Sequence, residues 1–217
     1  MDVRYFFLER LRFVRQLYLA SIAPFVETKR KIEDGEAPYE PLYSEDDEPP
    51  FLSEWMEAED SIQAIGSMCI SMLATALHLY LNAWQSKLGL PLSEEDKKRF
   101  KKRGWFQGYQ AYFKSNFGVD FGQCPSNLSM LEEIILARNQ VQNPEFITQQ
   151  TSRYSEQDLK RVPAPYFADE RHLNLLGEDE ENRRWLLPPS IRLEPEKLDR
   201  AIQELKELAR WLDETNH

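Results

Sequence analysis

Residues 129–147 have the sequence SMLEEIILARNQVQNPEFI, which combines a helix pattern with the polar groups of a candidate site. The helix-capping residues Ser126, Asn127 and Ser129 stand at its start. Apolar residues then recur at helical spacing: Met130, Leu131, Ile134, Ile135 and Val141. Glu132 and Glu133 come early, where carboxylates favour the positive end of a helix dipole. Pro144 disfavours helical geometry in the residue before it, so the helix should end near Gln142 or Asn143.

The end of this predicted helix carries Arg138, Asn139 and Asn143. Asn139 and Asn143 lie four residues apart and share a helix face, while Arg138 projects to one side of them. A guanidinium group binds phosphate oxygens in a forked geometry, and amides add further hydrogen-bond donors. The sequence therefore predicts a phosphate site here, with these three side chains as the candidate catalytic residues.

The segment LEEIILARNQVQNP at residues 131–144 resembles the HEPN superfamily of small helical proteins. The family pattern is an Arg, often followed by Asn, with a His a few positions later near the end of a capped helix. The resemblance covers roughly residues 54–147, with the last helix as an extension. It implies a helical bundle that forms a homodimer through the helices carrying Arg138. It also implies RNA as a partner, and relatives that are metal-independent endoribonucleases of the toxin or antiphage type, some with an antitoxin or another protein partner.

The implied chemistry has a clear physical basis. RNA carries its own nucleophile, the 2′-hydroxyl, next to the phosphate that is cut. A His can exchange a proton near neutral pH, and an Arg can stabilise the extra negative charge on phosphorus. Asn143 stands where the family has its His, and an amide cannot act as an acid or a base. The sequence therefore predicts that cleavage is absent or impaired.

Three explanations of Asn143 stay open at this point. The protein is a natural relative that binds RNA or a partner without cutting, or it carries an inactivating substitution of a toxic nuclease. In the third explanation another residue, for example Glu145 or His172, transfers the proton. Arg138 also has a purely structural interpretation, as the partner of a nearby Glu or of the helix C-terminus.

Composition limits the remaining possibilities. The chain has 217 residues, a formal net charge of -10 and a pI near 5.0, so an RNA-binding surface has to be a local patch. Cys69 and Cys124 show no metal-ligand or redox spacing, which favours free thiols in a reducing compartment, with one disulfide as the alternative.

No cofactor motif or metal-ligand pattern is present, so we expect neither a bound cofactor nor a bound metal ion. The charged N-terminus is not a signal peptide, and a cytoplasmic location is expected.

Residues 93–113 supply the best candidate for such a patch. Ser93 and three following acidic residues predict a capped helix start. Basic residues follow, and we take these as the candidate nucleic-acid-binding residues: Lys97, Lys98, Lys101, Lys102 and Arg103. Aromatic residues come next, after Gly104, and Gly104 and Gly108 are expected to loosen the helix. The alternative is a solvated face whose cations pair with the acidic start, followed by a core-facing aromatic segment.

Two long helices are predicted in the first part of the chain. The first runs from Val3 to about Lys31, and Pro24 is expected to kink or interrupt it. Residues 34–52 form an acidic, proline-rich loop. Ser53 is predicted to cap the second helix, which ends at Leu88 before Gly89.

The second helix is uncharged from residue 61 to residue 86. It is long enough to span a membrane, but its polar side chains and the lack of a second span favour a helix buried in the bundle. No membrane partner is expected. His78, within this segment, is expected to be a core or interface histidine.

The last part of the chain combines an irregular segment with a closing helix. Residues 150–193 are predicted to include a small β-hairpin, and residues 194–215 form an amphipathic helix. The predicted fold is a single mostly α domain over residues 1–217, a HEPN-like bundle of long antiparallel helices with a β-hairpin insertion before the C-terminal helix. Its predicted function is RNA binding, and the alternative is a non-catalytic helical module for protein interaction.

Overall fold

The computed structural model of the chain describes residues 2–40, 49–143, 151–170 and 188–215. These residues form seven α-helices and a 3-10 turn, Phe121–Gln123. The helices are α1 (Val3–Asp34), α2 (Leu52–Leu88), α3 (Glu94–Arg103), α4 (Trp105–Phe117), α5 (Leu128–Gln142), α6 (Glu156–Arg161) and α7 (Pro195–Thr215). No β-strand occurs in the described residues, so the mostly α class is confirmed.

The two long helices pack side by side and run in opposite directions. Near the start of α1, the ring of Phe7 stacks on that of Tyr80 from late α2, with centroids 4.3 Å apart. Near the end of α1, Glu33 accepts a hydrogen bond of 2.8 Å from the indole of Trp55 at the start of α2. Contacts at both ends therefore fix an antiparallel pair, and the apolar stripes of both helices are buried between them.

Helices α5 and α7 complete the bundle. α5 packs on α2, and α7 packs on α1 and α5. The Tyr18 hydroxyl donates to the carbonyl of Leu193 at 2.6 Å, and the Tyr80 hydroxyl donates to that of Ala209 at 3.2 Å. Buried tyrosines thus use their hydroxyls to tie α1 and α2 to the C-terminal segment.

The predicted cap of α2 is wrong, and of the two effects predicted for Pro24, a kink or an interruption, the interruption does not occur. Pro24 does not interrupt α1, which is assigned as one helix from Val3 to Asp34. Pro24 lies on the exposed side, where water can satisfy the carbonyl that loses its partner. Ser53 does not cap α2, because the helix starts at Leu52 with Phe51 at the N-cap, in a left-handed conformation of φ 60°.

The predicted third helix is two helices. α3 ends at Arg103 and α4 starts at Trp105, with Gly104 between them at φ 85°. Gly108 does not loosen α4, since it lies inside the helix against the ring of Phe100. A Cβ added at Gly108 would lie 2.4 Å from a Phe100 ring carbon, so the glycine permits the close approach of α3 to α4.

The predicted hairpin is not confirmed. Residues 171–187, which make up most of it, lie outside the described part of the chain, as do Glu145 and His172. Two isolated antiparallel bridges remain near its ends, Arg153 with Ser190 and Ala168 with Ile191.

α2 is the one helix in the described ranges whose length and composition would allow it to span a membrane. Half of its most apolar window is buried by the rest of the protein, which is also typical of the core helix of a bundle. Cys69, in α2, is buried and free, and Cys124 is half-buried and free.

Candidate nucleic-acid interface

The N-terminal end of α5 is anchored by hydrogen bonds to α7. The Asn127 side chain caps α5 by accepting from the backbone N–H of Met130 at 3.2 Å. The Asn127 backbone N–H donates to a carboxylate oxygen of Glu204 at 2.6 Å, and the Ser126 hydroxyl donates to the Glu204 carbonyl at 2.9 Å. The predicted cap is confirmed, and it fixes where the rest of α5 points.

Glu133, one turn into α5, belongs to the core. Its side chain accepts hydrogen bonds from the Tyr154 hydroxyl at 2.7 Å and from the backbone N–H groups of Tyr166 and Phe167 at 2.8 Å and 2.7 Å. Glu132 takes other partners, Arg161 in an ion pair and Gln107 through a hydrogen bond of 3.0 Å. Both carboxylates thus have partners other than Arg138.

The C-terminal end of α5 brings the three predicted site residues together. An Arg138 Nη donates to Asn139 Oδ1 at 3.1 Å. Asn143 donates to the Asn139 carbonyl from its side-chain amide at 3.0 Å and from its backbone N–H at 3.1 Å. Asn143 therefore closes the helix end, while Arg138 and Asn139 stay half-buried at its side.

Arg138 has no carboxylate partner within 4 Å among residues 2–40, 49–143, 151–170 and 188–215. The chain has 37 acidic residues and 27 basic ones, so carboxylates outnumber cations. An arginine at a helix end that has no carboxylate partner is therefore not the expected outcome of packing. A half-buried guanidinium held by a neutral amide keeps several donors for a phosphate.

His78 on α2 was predicted to be a core or interface histidine, and the core position is wrong. It is exposed on α2, and one side of its ring is covered by Trp105, with ring centroids 4.7 Å apart. The ring of Tyr109 lies farther away, at 6.1 Å. Partial burial lowers the pKa of His78 below its ordinary value of 6.5, and the positive charge of Arg138 lowers this pKa further. α5 packs on α2, the helix that carries His78.

The basic end of α3 lies close to Trp105, the residue that contacts His78. Arg103 ends α3, and only Gly104 separates it from Trp105, whose ring covers His78. Two residues of chain span at most about 7 Å, so the α3 cations begin close to the aromatic rings. Sequence reasoning missed the pairing of His78 with Trp105, because nothing local links residues in different helices.

The cations of α3 differ in their partners. Lys97 is paired with Glu94 at 2.6 Å, as the solvated-face alternative predicted. Lys98, Lys101, Lys102 and Arg103 are exposed, and none of them forms an ion pair with another residue of the described ranges. Arg103 also lines a cleft of about 370 Å³ together with Gln107, Gln110 and Ser129.

The part of the chain that the structure describes contains no cluster of side chains suited to bind a metal ion. No group of three or more His, Cys, Asp or Glu side chains there is close enough to hold an ion. Charge stabilisation by the guanidinium of Arg138 and hydrogen bonding by the neighbouring amides are the chemistry that this arrangement offers.

Comparisons with known proteins add no family assignment. No protein-family model, no curated protein and no solved structure matches the chain. The resemblance to the HEPN superfamily is therefore carried by the Arg138–Asn139 motif and stays a prediction.

Proposed function

We propose that the protein binds single-stranded RNA at the C-terminal end of α5, in the manner of HEPN relatives. The observation that carries this proposal is Arg138, a half-buried guanidinium at a helix end that pairs with no carboxylate of the described ranges. A phosphate would supply the negative partner, and Asn139 would hold the guanidinium in place for it.

The surroundings favour single-stranded RNA over a free phosphate ion. Trp105 and His78 form an aromatic pair between α4 and α2, and such rings stack on unpaired bases. The exposed cations of α3, which lead to Trp105, would contact the phosphates of neighbouring nucleotides. The pair of α5 helices in the predicted homodimer would then form one continuous RNA surface.

The test is the affinity of a labelled single-stranded RNA for the wild type and for Arg138→Ala, measured by fluorescence anisotropy at several salt concentrations. We expect binding at least tenfold weaker in Arg138→Ala. Loss of one phosphate contact should also reduce the slope of log K against log salt by about 0.7.

Arg15→Ala is the matched control, because it removes the same charge from α1, where Arg15 is paired with Asp199. Equal weakening in both variants would mean that only net charge matters and would contradict the proposal. The absence of any RNA binding by the wild type would do the same.

A second candidate function, protein interaction, is favoured by an apolar groove between α1 and α2. Two adjoining depressions of about 310 Å³ and 250 Å³ share Arg10 and Ala76. Phe6, Phe13 and Leu79 remain exposed along them. Apolar surface of this kind often marks an interaction site.

Analytical ultracentrifugation at several concentrations separates the two candidates. A dimer that Leu79→Glu dissociates, in a protein that binds no RNA, would favour the interaction module. RNA binding that is lost in Arg138→Ala and retained in Leu79→Glu would favour the first proposal.

A further inference from the structure

The groove between α1 and α2 carries apolar side chains that the rest of the described chain leaves uncovered. Its two depressions share Arg10 and follow residues 3–14 of α1, a length of about 16 Å at 1.5 Å per residue. Phe6, Phe13 and Leu79 are each about half exposed along it. Single exposed apolar side chains are ordinary on a protein surface, but three along one concave groove indicate a surface that a partner covers.

Arg10 is the one charged residue among the described residues that line the two depressions. It is exposed, and it forms no ion pair with a carboxylate of residues 2–40, 49–143, 151–170 or 188–215. The other arginines in the first half of α1 do have carboxylate partners: Arg4 pairs with Asp213, Arg12 with Glu9 and Arg15 with Asp199.

The groove cannot supply the missing carboxylate itself. The α1 residues three and four positions from Arg10, which share its face, are all apolar: Phe6, Phe7, Phe13 and Val14. On the other wall, α2 has no charged residue from position 61 to position 86. A negative charge that pairs with Arg10 in the groove therefore has to come from another molecule.

We propose that the groove binds one amphipathic helix of a protein partner, with an acidic residue between two apolar anchors. The anchors enter the two depressions, and the carboxylate pairs with Arg10. This inference rests on the second candidate function, protein interaction, and names the kind of partner. It does not require RNA binding at α5.

The spacing of the groove matches the period of a helix. Phe6 and Phe13 line different depressions and lie seven residues, or about 10 Å, apart along α1. Apolar side chains at positions i and i+7 of a bound helix have the same separation, which is the usual pattern of a helix in a groove. An acidic residue at i+3 or i+4 of that helix lies on the same face between the anchors, as Arg10 lies between the depressions.

Charge favours such a helix over a second copy of the protein. A two-fold axis that exchanges the two depressions would pass close to Arg10, because both depressions share this residue. The guanidinium groups of the two copies would then meet without a carboxylate of the groove between them. Like charges placed together destabilise an interface, whereas a carboxylate on a partner helix stabilises it.

Charge also favours a protein helix over a membrane surface. Proteins that recognise anionic lipid headgroups use clusters of several exposed lysines or arginines. In the groove, Arg10 is the single cation among the described residues, and the neighbouring Arg12 and Arg15 are paired with carboxylates.

The first experiment selects ligands for the groove from a phage-displayed library of alanine-rich helical peptides. Positions i, i+3, i+4 and i+7 of one face are randomised, and the bait is the full-length wild type. Peptides that also bind Leu79→Glu are removed, because that change places a charge in the groove. We expect the selected peptides to share large apolar residues at i and i+7 and an Asp or Glu at i+3 or i+4. Selection of no peptide, or of peptides without the acidic residue, would overturn the proposal.

Charge reversal tests the role of Arg10 directly. A selected peptide and a version with lysine in place of its acidic residue are titrated against wild type, Arg10→Glu and Arg12→Glu by fluorescence anisotropy. We expect the wild type to bind the acidic peptide at least tenfold more tightly, Arg10→Glu to prefer the lysine peptide, and Arg12→Glu to behave as the wild type. Arg12→Glu is the matched control, since Arg12 lies on α1 but does not line the groove. A preference that Arg10→Glu leaves unchanged would contradict the pairing.

Sedimentation velocity of the protein alone separates failure of this proposal from failure of the candidate function. A dimer that Leu79→Glu dissociates would place a second copy in the groove, which overturns the helix partner and leaves protein interaction as the function. A groove that binds neither a peptide nor a second copy would overturn both. Circular dichroism shows whether each variant keeps the helical fold, and the charge-reversal experiment depends only on changes at exposed positions.

Discussion

The two ends of α5 use charged side chains in opposite ways. Glu133, in the first half of the helix, is 2% exposed and accepts hydrogen bonds from the Tyr154 hydroxyl and two backbone N–H groups. Arg138, five residues later, is half-buried and is held by the neutral side chain of its neighbour Asn139. One charge is completely enclosed by protein donors, while the other keeps donors free.

This difference separates a charge that the fold requires from a charge that is available to a ligand. Burying a carboxylate costs free energy that only a complete set of partners can offset, so Glu133 has to be part of the fold. It joins α5 to residues 154 and 166–167, whose side chains also pack in or against the hydrophobic core. The donors that Arg138 keeps free are what an RNA phosphate would use.

Glu133→Ala tests the structural half of this comparison, and its effect should be the largest. It leaves the Tyr154 hydroxyl and two backbone N–H groups without their acceptor, so we expect the free energy of unfolding to fall by about 3–5 kcal/mol. Urea unfolding followed by circular dichroism measures this change. Glu132→Ala, which removes a more exposed carboxylate, is the control and should cost less than about 1 kcal/mol. Equal effects would show that burial does not distinguish the two residues.

Tyr154→Phe removes one of the three donors, and its effect should depend on pH. Loss of a hydrogen bond to a charged group should cost about 1.5–3 kcal/mol at pH 8. Burial, and then the charge of Glu133, raise the pKa of Tyr154 well above its ordinary value of 10.0.

Because the folded protein keeps this proton, the stability contributed by Tyr154 is fully present below pH 10. It is lost as the pH rises above the pKa of the unfolded state. The difference in unfolding free energy between wild type and Tyr154→Phe should therefore shrink between pH 9 and pH 11, which urea titrations at both pH values can measure. A difference that stays constant or grows would contradict the assigned environment of Tyr154.

Asn127→Ala tests the cap that positions α5. Its side chain satisfies the Met130 N–H, and loss of such a cap typically costs about 1 kcal/mol. The backbone bond from Asn127 to Glu204 survives the substitution, so the helix should stay in place. Thermal unfolding compared with Ser129→Ala, a change at an exposed site that does not cap the helix, measures the effect. No difference between the two variants would mean that α7 alone positions α5.

The features that were predicted correctly from the sequence depend on residues that lie close together in the chain. The bounds of α5 and the capping box of Ser93 with Asp96 depend on residues a few positions apart, and both were predicted. The grouping of Arg138, Asn139 and Asn143 follows from a helix period and was also predicted. Local chemistry of this kind is readable from sequence.

The features that sequence reasoning missed all depend on residues far apart in the chain. Glu133 was interpreted as a dipole carboxylate, because its partners come 21 to 34 residues later. The contact between His78 and Trp105 joins two helices, and no periodicity within either one predicts it. Gly104 was expected to loosen a helix and instead ends one, and Trp105, which contacts His78, begins the next helix. Tertiary packing decides these points, and a single sequence does not record it directly.

Arg138→Ala tests the functional half of the comparison, and its effect on stability should be the smallest. The hydrogen bond that it removes joins adjacent half-buried side chains, so the free energy of unfolding should change by no more than about 0.5 kcal/mol. The same variant should lose RNA affinity, whereas Glu133→Ala should lose stability first. Urea unfolding and anisotropy on the same two samples measure both properties. If Arg138→Ala were destabilised by more than about 2 kcal/mol, Arg138 would be a structural charge like Glu133, because surface substitutions without a structural role stay near zero.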